Sequence, residues 1–288
     1  MHIITLITDF GTRDWFVGTM RGVVLGINPR AVITDITHEI PPGDIRAGAF
    51  SLMAAYRYFP RGTVHLAVVD PGVGSGRRAI AVQTPNYVFV GPDNGVLSRA
   101  LARESIKSIR QLENPRYFLK GISRTFHGRD IFAPVAAHLT RGLLPKLLGR
   151  ELKDYVRLPW REPKESARTV SARVGSRPTE IRGEIVHIDR FGNAITNIRA
   201  ELVPAARKVI CEVLGQRKIR CALAAFYAAV PTRSPIALVS SSGFLEVAVN
   251  GGSAAERFGL AIGDAVNVQI TRVESGTRPA ERSMNVNW

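Results

Sequence analysis

The sequence predicts an α/β domain with a largely parallel sheet, followed by a small antiparallel β-barrel. Through residues 1–150, apolar runs of strand length alternate with helix-period segments, which is typical of α/β domains. After residue 182 the runs are short and β-rich, with frequent Gly, Asn, Pro and Ser between them. We therefore divide the 288 residues into an α/β domain (1–150), a linker (151–182), a β-barrel domain (183–272) and a tail (273–288).

Alternation of strands and helices defines the N-terminal domain. Strands are predicted at residues 3–8, 31–35, 64–69, 79–83 and 87–90, and helices at residues 15–27, 44–59, 96–103 and 131–144. Three of these strands run into an aspartate, namely Asp9, Asp35 and Asp70. In open α/β sheets ligands bind at the carboxyl ends of the strands, so we expect these carboxylates at a ligand-binding edge.

The stretch VVDPGVGSGRR, residues 68–78, places Asp70 at the end of an apolar strand, before three alternate glycines and two arginines. It is similar to a dinucleotide-binding loop. However, its spacing is not G-x-G-x-x-G, and a strand is predicted to follow where that motif requires a helix N-terminus. We therefore exclude a nicotinamide site. A plain tight turn is the alternative, but ionisable groups at a strand edge favour a functional site.

Other candidate residues are ambiguous from the residues alone. His127, in TFHGRD, precedes a predicted helix and is equally compatible with a structural role and with proton transfer. Asp9, His127 and Asp130 lack a spaced metal-binding motif, so we expect no metal site. In the second domain, the turns HIDRFGN and SSSG, starting at residues 187 and 240, are also compatible with ordinary turn chemistry.

Composition limits the function classes. The net charge is +15, but the arginines are scattered and lack a recognition element, so we expect a basic surface and no nucleic-acid partner. No apolar run approaches the roughly 18 residues of a transmembrane helix. The N-terminus has no basic leader region, so we expect a cytoplasmic protein. Cys211 and Cys221 are expected to be buried free thiols.

Five motifs, in chain order, carry a family resemblance: TDFG, VVDPGVGSGRR, TFHGRDIFAP, IDRFGNAITNI and SSSGFLEVAVN. Together they resemble the S-adenosylmethionine (SAM) hydroxide adenosyltransferase family, which is related to the fluorinases and chlorinases. The resemblance implies an N-terminal α/β domain, a C-terminal β-barrel and a homotrimer whose nucleoside sites lie between subunits. The implied reaction is attack of water at C5′ of the ribose of SAM, which yields adenosine and methionine without a cofactor or a metal.

The resemblance also implies roles for individual residues. The family's water-activating trio falls on Asp70, Arg77 and His127. The implied substrate contacts are Asp9 to the ribose hydroxyls, Asp189 to the methionine ammonium, Ser241 to its carboxylate, Phe191, Phe226 and Asn193 to the adenine, and Glu246 and Val249 to the adenosine from the barrel side.

The related halogenases provide the main alternative. In them a tyrosine matches Asp70, and the fluorinase tryptophan matches Gly43. A halide would be repelled by the Asp70 carboxylate, so the trio favours water as the nucleophile. We expect Arg77 to keep Asp70 ionised and oriented while Asp70 and His127 share the protons of the water. A SAM-dependent halogenase, a nucleoside-binding protein with little turnover and a polyanion-binding protein remain as alternatives.

Overall fold

A computed structural model describes residues 2–167, 179–203, 208–215 and 217–271 of the chain. The predicted tail and residues 168–178 of the predicted linker lie outside the described residues. The chain divides into two compact units, Met1–Pro159 and Trp160–Trp288, and each is described by itself.

A mixed seven-stranded sheet with helices forms the N-terminal unit. Its strands are β1 (Ile3–Thr8), β2 (Val32–Thr37), β3 (Val64–Val68), β4 (Ala79–Gln83), β5 (Val88–Pro92), β6 (Ser108–Gln111) and β7 (Glu151–Leu152), and its helices are α1 (Phe16–Ile27), α2 (Ile45–Ala55), α3 (Ser98–Leu101) and α4 (Ala133–Thr140). The strand order is β2-β1-β3-β5-β4-β6-β7. Strands β2, β1, β3 and β5 pair in parallel, and β4, β6 and β7 extend the sheet with antiparallel pairs.

Strand β3 is buried along its whole length because helices cover both faces of the sheet. Leu66 and Val68 pack on the face that carries α1 and α4, whereas Ala67 and Val69 pack on the face that carries α2 and α3. A Cβ added at Gly48 of α2 would lie 2.9 Å from Cγ2 of Val69, so this glycine permits close packing at the strand that leads into Asp70.

The structure corrects several details of the N-terminal prediction. Asp35 lies inside β2, opposite Leu6, and does not end the strand. The helix predicted at 131–144 begins instead with a π-turn at Gly128–Phe132, which continues into α4. The helix predicted at 44–59 ends as α-helix at residue 55. Within the described ranges, no helix combines the length and apolar character that crossing a membrane requires.

Antiparallel strands form the C-terminal unit, as predicted. Its elements are β8 (Lys164–Ala167), β9 (Thr179–Ile188), β10 (Ala194–Arg199), β11 (Lys208–Leu214), β12 (Lys218–Ala222), β13 (Pro235–Val239), β14 (Phe244–Val249), α5 (Ala254–Phe258) and β15 (Ala265–Thr271). The strand order is β12-β11-β15-β9-β10-β14-β13, with β8 paired to β9. A bridge between Leu223 and Ala237 links the two ends of this order, so the sheet is a nearly closed barrel.

The two cysteines lie directly opposite each other on β11 and β12. Both are buried free thiols, as predicted. Hydrogen bonding with Cys221, together with burial, raises the pKa of the Cys211 thiol, so Cys211 is held in its neutral form.

Candidate active site

Two adjacent parallel strands deliver carboxylates to one edge of the N-terminal sheet. Thr8 of β1 lies opposite Val68 of β3, so Asp9 and the residues that follow β3 leave the sheet at the same edge. The N–H of Gly43 donates to Oδ2 of Asp9 at 2.7 Å. A Cβ added at Gly43 would lie 3.6 Å from Cβ of Pro71, the residue after Asp70. The Gly43 segment therefore contacts both Asp9 and the residue that follows Asp70.

Arg77 joins the other two members of the predicted trio. Its Nε lies 2.9 Å from both carboxylate oxygens of Asp70, and its Nη2 contacts Oδ2 of the same carboxylate. The same Nη2 donates to Nδ1 of His127 at 2.9 Å. The side chains of Arg77 and Asp70 are only 10% and 4% exposed, so this charge-assisted contact is largely shielded from water. The structure thus brings Asp70, Arg77 and His127 into one connected group.

Glycine at position 74 allows the loop after β3 to approach the segment that precedes His127. Gly74 has φ +77°, and a Cβ added to it would lie 2.2 Å from the carbonyl oxygen of Arg124. A side chain there would collide with backbone, which cannot give way cheaply. Within the same loop, Ser75 Oγ donates to the Gly72 carbonyl at 2.7 Å and accepts from the Arg77 N–H at 3.3 Å. The absence of a side chain at Gly74 therefore allows this loop to bring Arg77 close enough to bind His127.

A buried aspartate closes the loop around His127. The carboxylate of Asp130 is 1% exposed, accepts the N–H of Ser123 at 2.8 Å and accepts Nε of Arg129 at 2.6 Å. His127 immediately precedes the π-turn at Gly128–Phe132, a distortion of the kind that often occurs at functional sites. Asp130 therefore supports the loop, and its carboxylate is already engaged by protein donors.

The surroundings of His127 favour the neutral imidazole. Burial lowers its pKa most and the positive charge of Arg77 lowers it further, whereas the charges of Asp70 and Asp130 and a hydrogen bond with the Ser123 backbone act in the opposite direction. An arginine can only donate, so Nδ1 of His127 must accept. A neutral His127 therefore carries its proton on Nε2.

The second arginine of the motif has a structural role. Arg78 forms ion pairs with the buried Asp93 and with Asp154. Asp93 also accepts the N–H of Val156 at 2.7 Å, which ties the end of the N-terminal unit to the sheet. Spacing alone does not distinguish Arg77 from Arg78, because the difference comes from contacts with distant segments.

In the C-terminal unit, Asp189 organises the turn between β9 and β10. Its Oδ1 accepts the N–H groups of Phe191 and Asn193 at 2.9 Å, and its Oδ2 accepts Nδ2 of Asn193 at 3.0 Å. Gly192 has φ +79°, and a Cβ there would lie 2.0 Å from Oγ of Ser253. Asp189 and Asn193 are thus held together, while Phe191 stands 75% exposed at the tip of the turn.

A tyrosine that the sequence analysis did not select completes this cluster. The hydroxyl of Tyr227 donates to Oε1 of Glu246 at 2.8 Å. Glu246 is buried, and burial raises its pKa most, with the nearby Asp189 charge adding to the shift and the Tyr227 hydrogen bond opposing it. The sequence signal for Tyr227 is its position directly after Phe226, a residue to which the family resemblance assigns a contact with the adenine.

The remaining predicted residues occupy different surroundings. Phe226 is exposed at the start of a short 3₁₀ turn, and Ser241 is exposed in the turn between β13 and β14. Val249 packs inside the barrel core, so its side chain is not offered to a ligand. Among the described residues, no three His, Cys, Asp or Glu side chains are grouped so that they could hold a metal ion.

An α/β unit with a connected Asp–Arg–His group at its strand edge, followed by a nearly closed antiparallel barrel unit, defines a two-domain protein that combines an α/β architecture with a β-barrel. The chain belongs to the SAM hydroxide adenosyltransferase family. The N-terminal domain of that family matches residues 4–149, and its C-terminal domain matches residues 183–267.

Relatives extend this similarity over almost the whole chain. The (R)-S-adenosyl-L-methionine hydrolase of Thermus thermophilus is 38% identical over 93% of this chain and 100% of its own length. The enzyme of the same name from Salinispora arenicola is also 38% identical, over 92% of this chain and 97% of its own. A fluorinase from Actinoplanes is 28% identical over 92% of this chain and 97% of its own.

A solved structure shares the fold. The crystal structure of an uncharacterized conserved protein from Thermotoga maritima aligns with a TM-score of 0.82 at 38% identity. The alignment covers 92% of this chain and 99% of the Thermotoga chain.

Proposed function

We propose that this protein hydrolyses (R)-S-adenosyl-L-methionine to adenosine and L-methionine. The observation that carries the proposal is the contact of one guanidinium, that of Arg77, with both Asp70 and His127. The names of the hydrolase relatives support the same activity, and they specify one configuration at the sulfonium centre. Fluorinases match this chain at lower identity, which makes halide chemistry the weaker alternative.

The chemistry required is modest, because the sulfonium already leaves as a neutral thioether. Neither a general acid at sulfur nor a metal is needed, and we propose that the reaction uses no cofactor. The enzyme must hold one water in line with the C5′–S bond, a positioning effect worth several kcal/mol. It must also accept the proton that the water loses when the C5′–O bond forms, which contributes about 10²–10⁴-fold.

We assign proton acceptance to the carboxylate of Asp70 and orientation of the water to His127. Arg77 occupies Nδ1 of His127, so the neutral ring offers its Nε2 proton as a hydrogen-bond donor. The oxygens of Asp70 retain lone pairs after the contacts with Arg77. Overall, SAM and water give adenosine, methionine and one proton, and that proton leaves through Asp70.

Substrate contacts follow from the resemblance and remain part of the proposal. Asp9 holds the ribose hydroxyls, and Asp189 and Ser241 hold the ammonium and carboxylate of the methionine moiety. Phe191, Phe226 and Asn193 surround the adenine, and Glu246 and Val249 contact the adenosine from the barrel. For Val249 this contact would use the backbone, since its side chain packs in the core. Two exposed aromatic side chains, Phe191 and Phe226, are suited to stacking on a purine.

We further propose a homotrimer with its sites at subunit interfaces, acting in the cytoplasm on this small molecule without a nucleic-acid or membrane partner. Phe191 and Phe226 are 75% and 60% exposed, so both aromatic side chains are accessible to a ligand or to a neighbouring subunit. Light scattering of the purified protein tests the trimer directly.

Product analysis with epimerically pure SAM tests the activity. The protein is incubated with each sulfonium epimer, with and without chloride or fluoride, and the products are separated by chromatography. We expect adenosine and methionine from the (R) epimer, at a rate that does not depend on halide. Formation of a 5′-halo-5′-deoxyadenosine would establish the halogenase alternative. Tight binding without any product would establish a binding protein.

Variants identify the residues responsible. Asp70→Ala and His127→Ala should each lower adenosine release at least about 100-fold. Matched controls are Asp154→Ala, an exposed aspartate paired with Arg78, and His138→Ala, a partly buried histidine in α4. Both controls should retain activity. Full adenosine release by either site variant would refute the assignment.

A further inference from the structure

A series of polar side chains in contact with one another ends at Thr8, the residue before Asp9 in the N-terminal unit. The guanidinium of Arg21, on α1, pairs with Oδ2 of Asp35 on β2. The other oxygen of Asp35 is 3.1 Å from Nε2 of His38, and Nδ1 of His38 is 2.8 Å from Oγ1 of Thr8. His38 and Thr8 are both buried. This series of side chains therefore runs from the surface at Arg21 to the residue immediately before Asp9.

The positions of the protons follow from the distances. Nε2 of His38 lies 3.1 Å from Oδ1 of Asp35, and neither of these buried atoms makes a hydrogen bond of standard geometry with a described residue, so a proton on Nε2 would face this carboxylate oxygen. Nδ1 of His38 then accepts from the Thr8 hydroxyl. Burial, reinforced by the charge of Arg21, lowers the pKa of His38 to about 4, in agreement with a neutral ring at neutral pH.

His38 holds the chain on both sides of Asp9. Its side chain contacts Thr8, whose Oγ1 in turn accepts the N–H of Phe10 at 3.3 Å. Its carbonyl accepts the N–H of Gly11 at 2.8 Å. The same segment also supplies Gly43, whose N–H binds the carboxylate of Asp9. Residues 38–43 therefore hold the main chain around Asp9 as well as its side chain.

The turn at residues 8–11, which His38 holds in place, also contacts the loop that contains His127. The ring of Phe10 packs edge-on against Phe126 with centroids 5.8 Å apart, and Phe16 packs on both rings. Phe126 directly precedes His127. A shift of the turn at residues 8–11 would therefore be transmitted by aromatic packing toward the candidate catalytic group.

An Asp–His–Thr series can also activate a nucleophile, but Thr8 is 0% exposed and cannot meet a substrate. We propose instead that His38 is a positioning residue that fixes Asp9 for the two ribose hydroxyls of the substrate. This inference rests on the proposed function, in which Asp9 binds the ribose. It assigns to the series Arg21–Asp35–His38–Thr8 a role in ribose recognition without substrate contact.

Inhibitor discrimination tests this role. Adenosine and 2′,3′-dideoxyadenosine are compared as inhibitors of SAM hydrolysis by the whole protein. In His38→Ala, we expect the inhibition constant of adenosine and the KM of SAM to rise about tenfold, the effect of a lost hydrogen bond at its upper range. The value for dideoxyadenosine, which lacks both hydroxyls, should change less than about twofold, and kcat less than about threefold.

Conservative variants distinguish a specific effect on adenosine affinity from a general loss of structure. His38→Asn retains an amide that can accept from Thr8 and should recover most of the adenosine affinity. Thr8→Val removes the same link while preserving shape and should reproduce the tenfold loss, even where His38→Ala fails to fold. In an Asp9→Asn background, His38→Ala should add little, because its effect passes through Asp9.

The protein contains a matched control on the same strand. Thr5 of β1 makes the same contact with the buried His65, Oγ1 to Nδ1 at 2.8 Å, away from Asp9. His65→Ala should lower stability and leave adenosine discrimination unchanged. Equal weakening of both inhibitors in His38→Ala, or no weakening in Thr8→Val, would refute the inference. A wild-type protein that releases no adenosine from SAM would instead refute the proposed function.

Discussion

Replacing Arg77 with methionine tests whether its guanidinium is the counterion that the buried Asp70 requires. Methionine keeps the length and apolar stem of arginine but cannot contact the carboxylate or Nδ1 of His127. Because Asp70 is 4% exposed, its charge would then be left buried without a partner.

The expected magnitude follows from this burial. Breaking a buried ion pair by removing one partner costs about 3–5 kcal/mol. For a folding unit of this size, each kcal/mol corresponds to about 2–4 °C in the melting temperature, so we expect a fall of about 6–20 °C. Adenosine release should fall at least about 100-fold, since Asp70 and His127 lose the group that orients both.

The double variant separates stability from catalysis. In Asp70→Asn with Arg77→Met, no charge remains unpaired, so at least about 2 kcal/mol of the lost stability should return while activity stays low. Functional polar groups are often retained at a cost in stability, so the double variant is expected to approach the wild type. Melting temperatures from calorimetry and adenosine release by chromatography provide the two readouts.

A surface arginine supplies the control. Arg150 is 66% exposed and pairs with Glu113, an ion pair expected to contribute at most about 1 kcal/mol. Arg150→Met should therefore change neither readout substantially. If Arg77→Met were as stable as the wild type, or if the two substitutions at the trio had additive effects on stability, Arg77 would not be the counterion of Asp70.

Two further predictions concern buried ionisable groups in the two units. Burial lowers the pKa of His65 to about 3, so around and below pH 6.5 the unfolded chain binds a proton that the folded chain does not, and stability should fall by about 1.6 kcal/mol between pH 6.5 and 5. His65→Phe should remove about 1.1 kcal/mol per pH unit from the mean slope over that range in urea denaturation, and an unchanged slope would contradict this origin. Tyr227→Phe removes the donor that lowers the pKa of Glu246, so that pKa should rise further and the KM of SAM should increase about tenfold. Steady-state kinetics check this, and a loss confined to kcat would place Tyr227 in a different role.

The sequence predicts the features that depend on local pattern. Apolar runs specify β1 and β3, and their parallel pairing places Asp9 and Asp70 at one edge, as expected. The antiparallel barrel likewise follows from short β-rich runs separated by turn residues. These features require only strand periodicity and the rule that ligands bind at the carboxyl edge of such sheets.

Features that depend on distant contacts could not be predicted in this way. The different surroundings of Arg77 and Arg78 are set by His127 and Asp154, which lie far away in sequence. Glycine at position 74 is required by the carbonyl of Arg124, a contact that no local spacing reveals. In the sequence, Asp35 follows an apolar run just as Asp9 does. In the structure it pairs with Arg21, so it supports its neighbours and is not placed to bind a ligand.

The electrostatics of the trio explain why water is the expected nucleophile. Arg77 is compensated by the carboxylate it binds, and a neutral His127 adds no charge, so the three side chains together carry no net positive charge. A halide placed beside them would meet the carboxylate of Asp70 and would lose its hydration without gaining a counterion. Water can instead donate to Asp70 and accept from Nε2–H of His127. The same arrangement that lowers the pKa of His127 therefore also disfavours an anionic nucleophile.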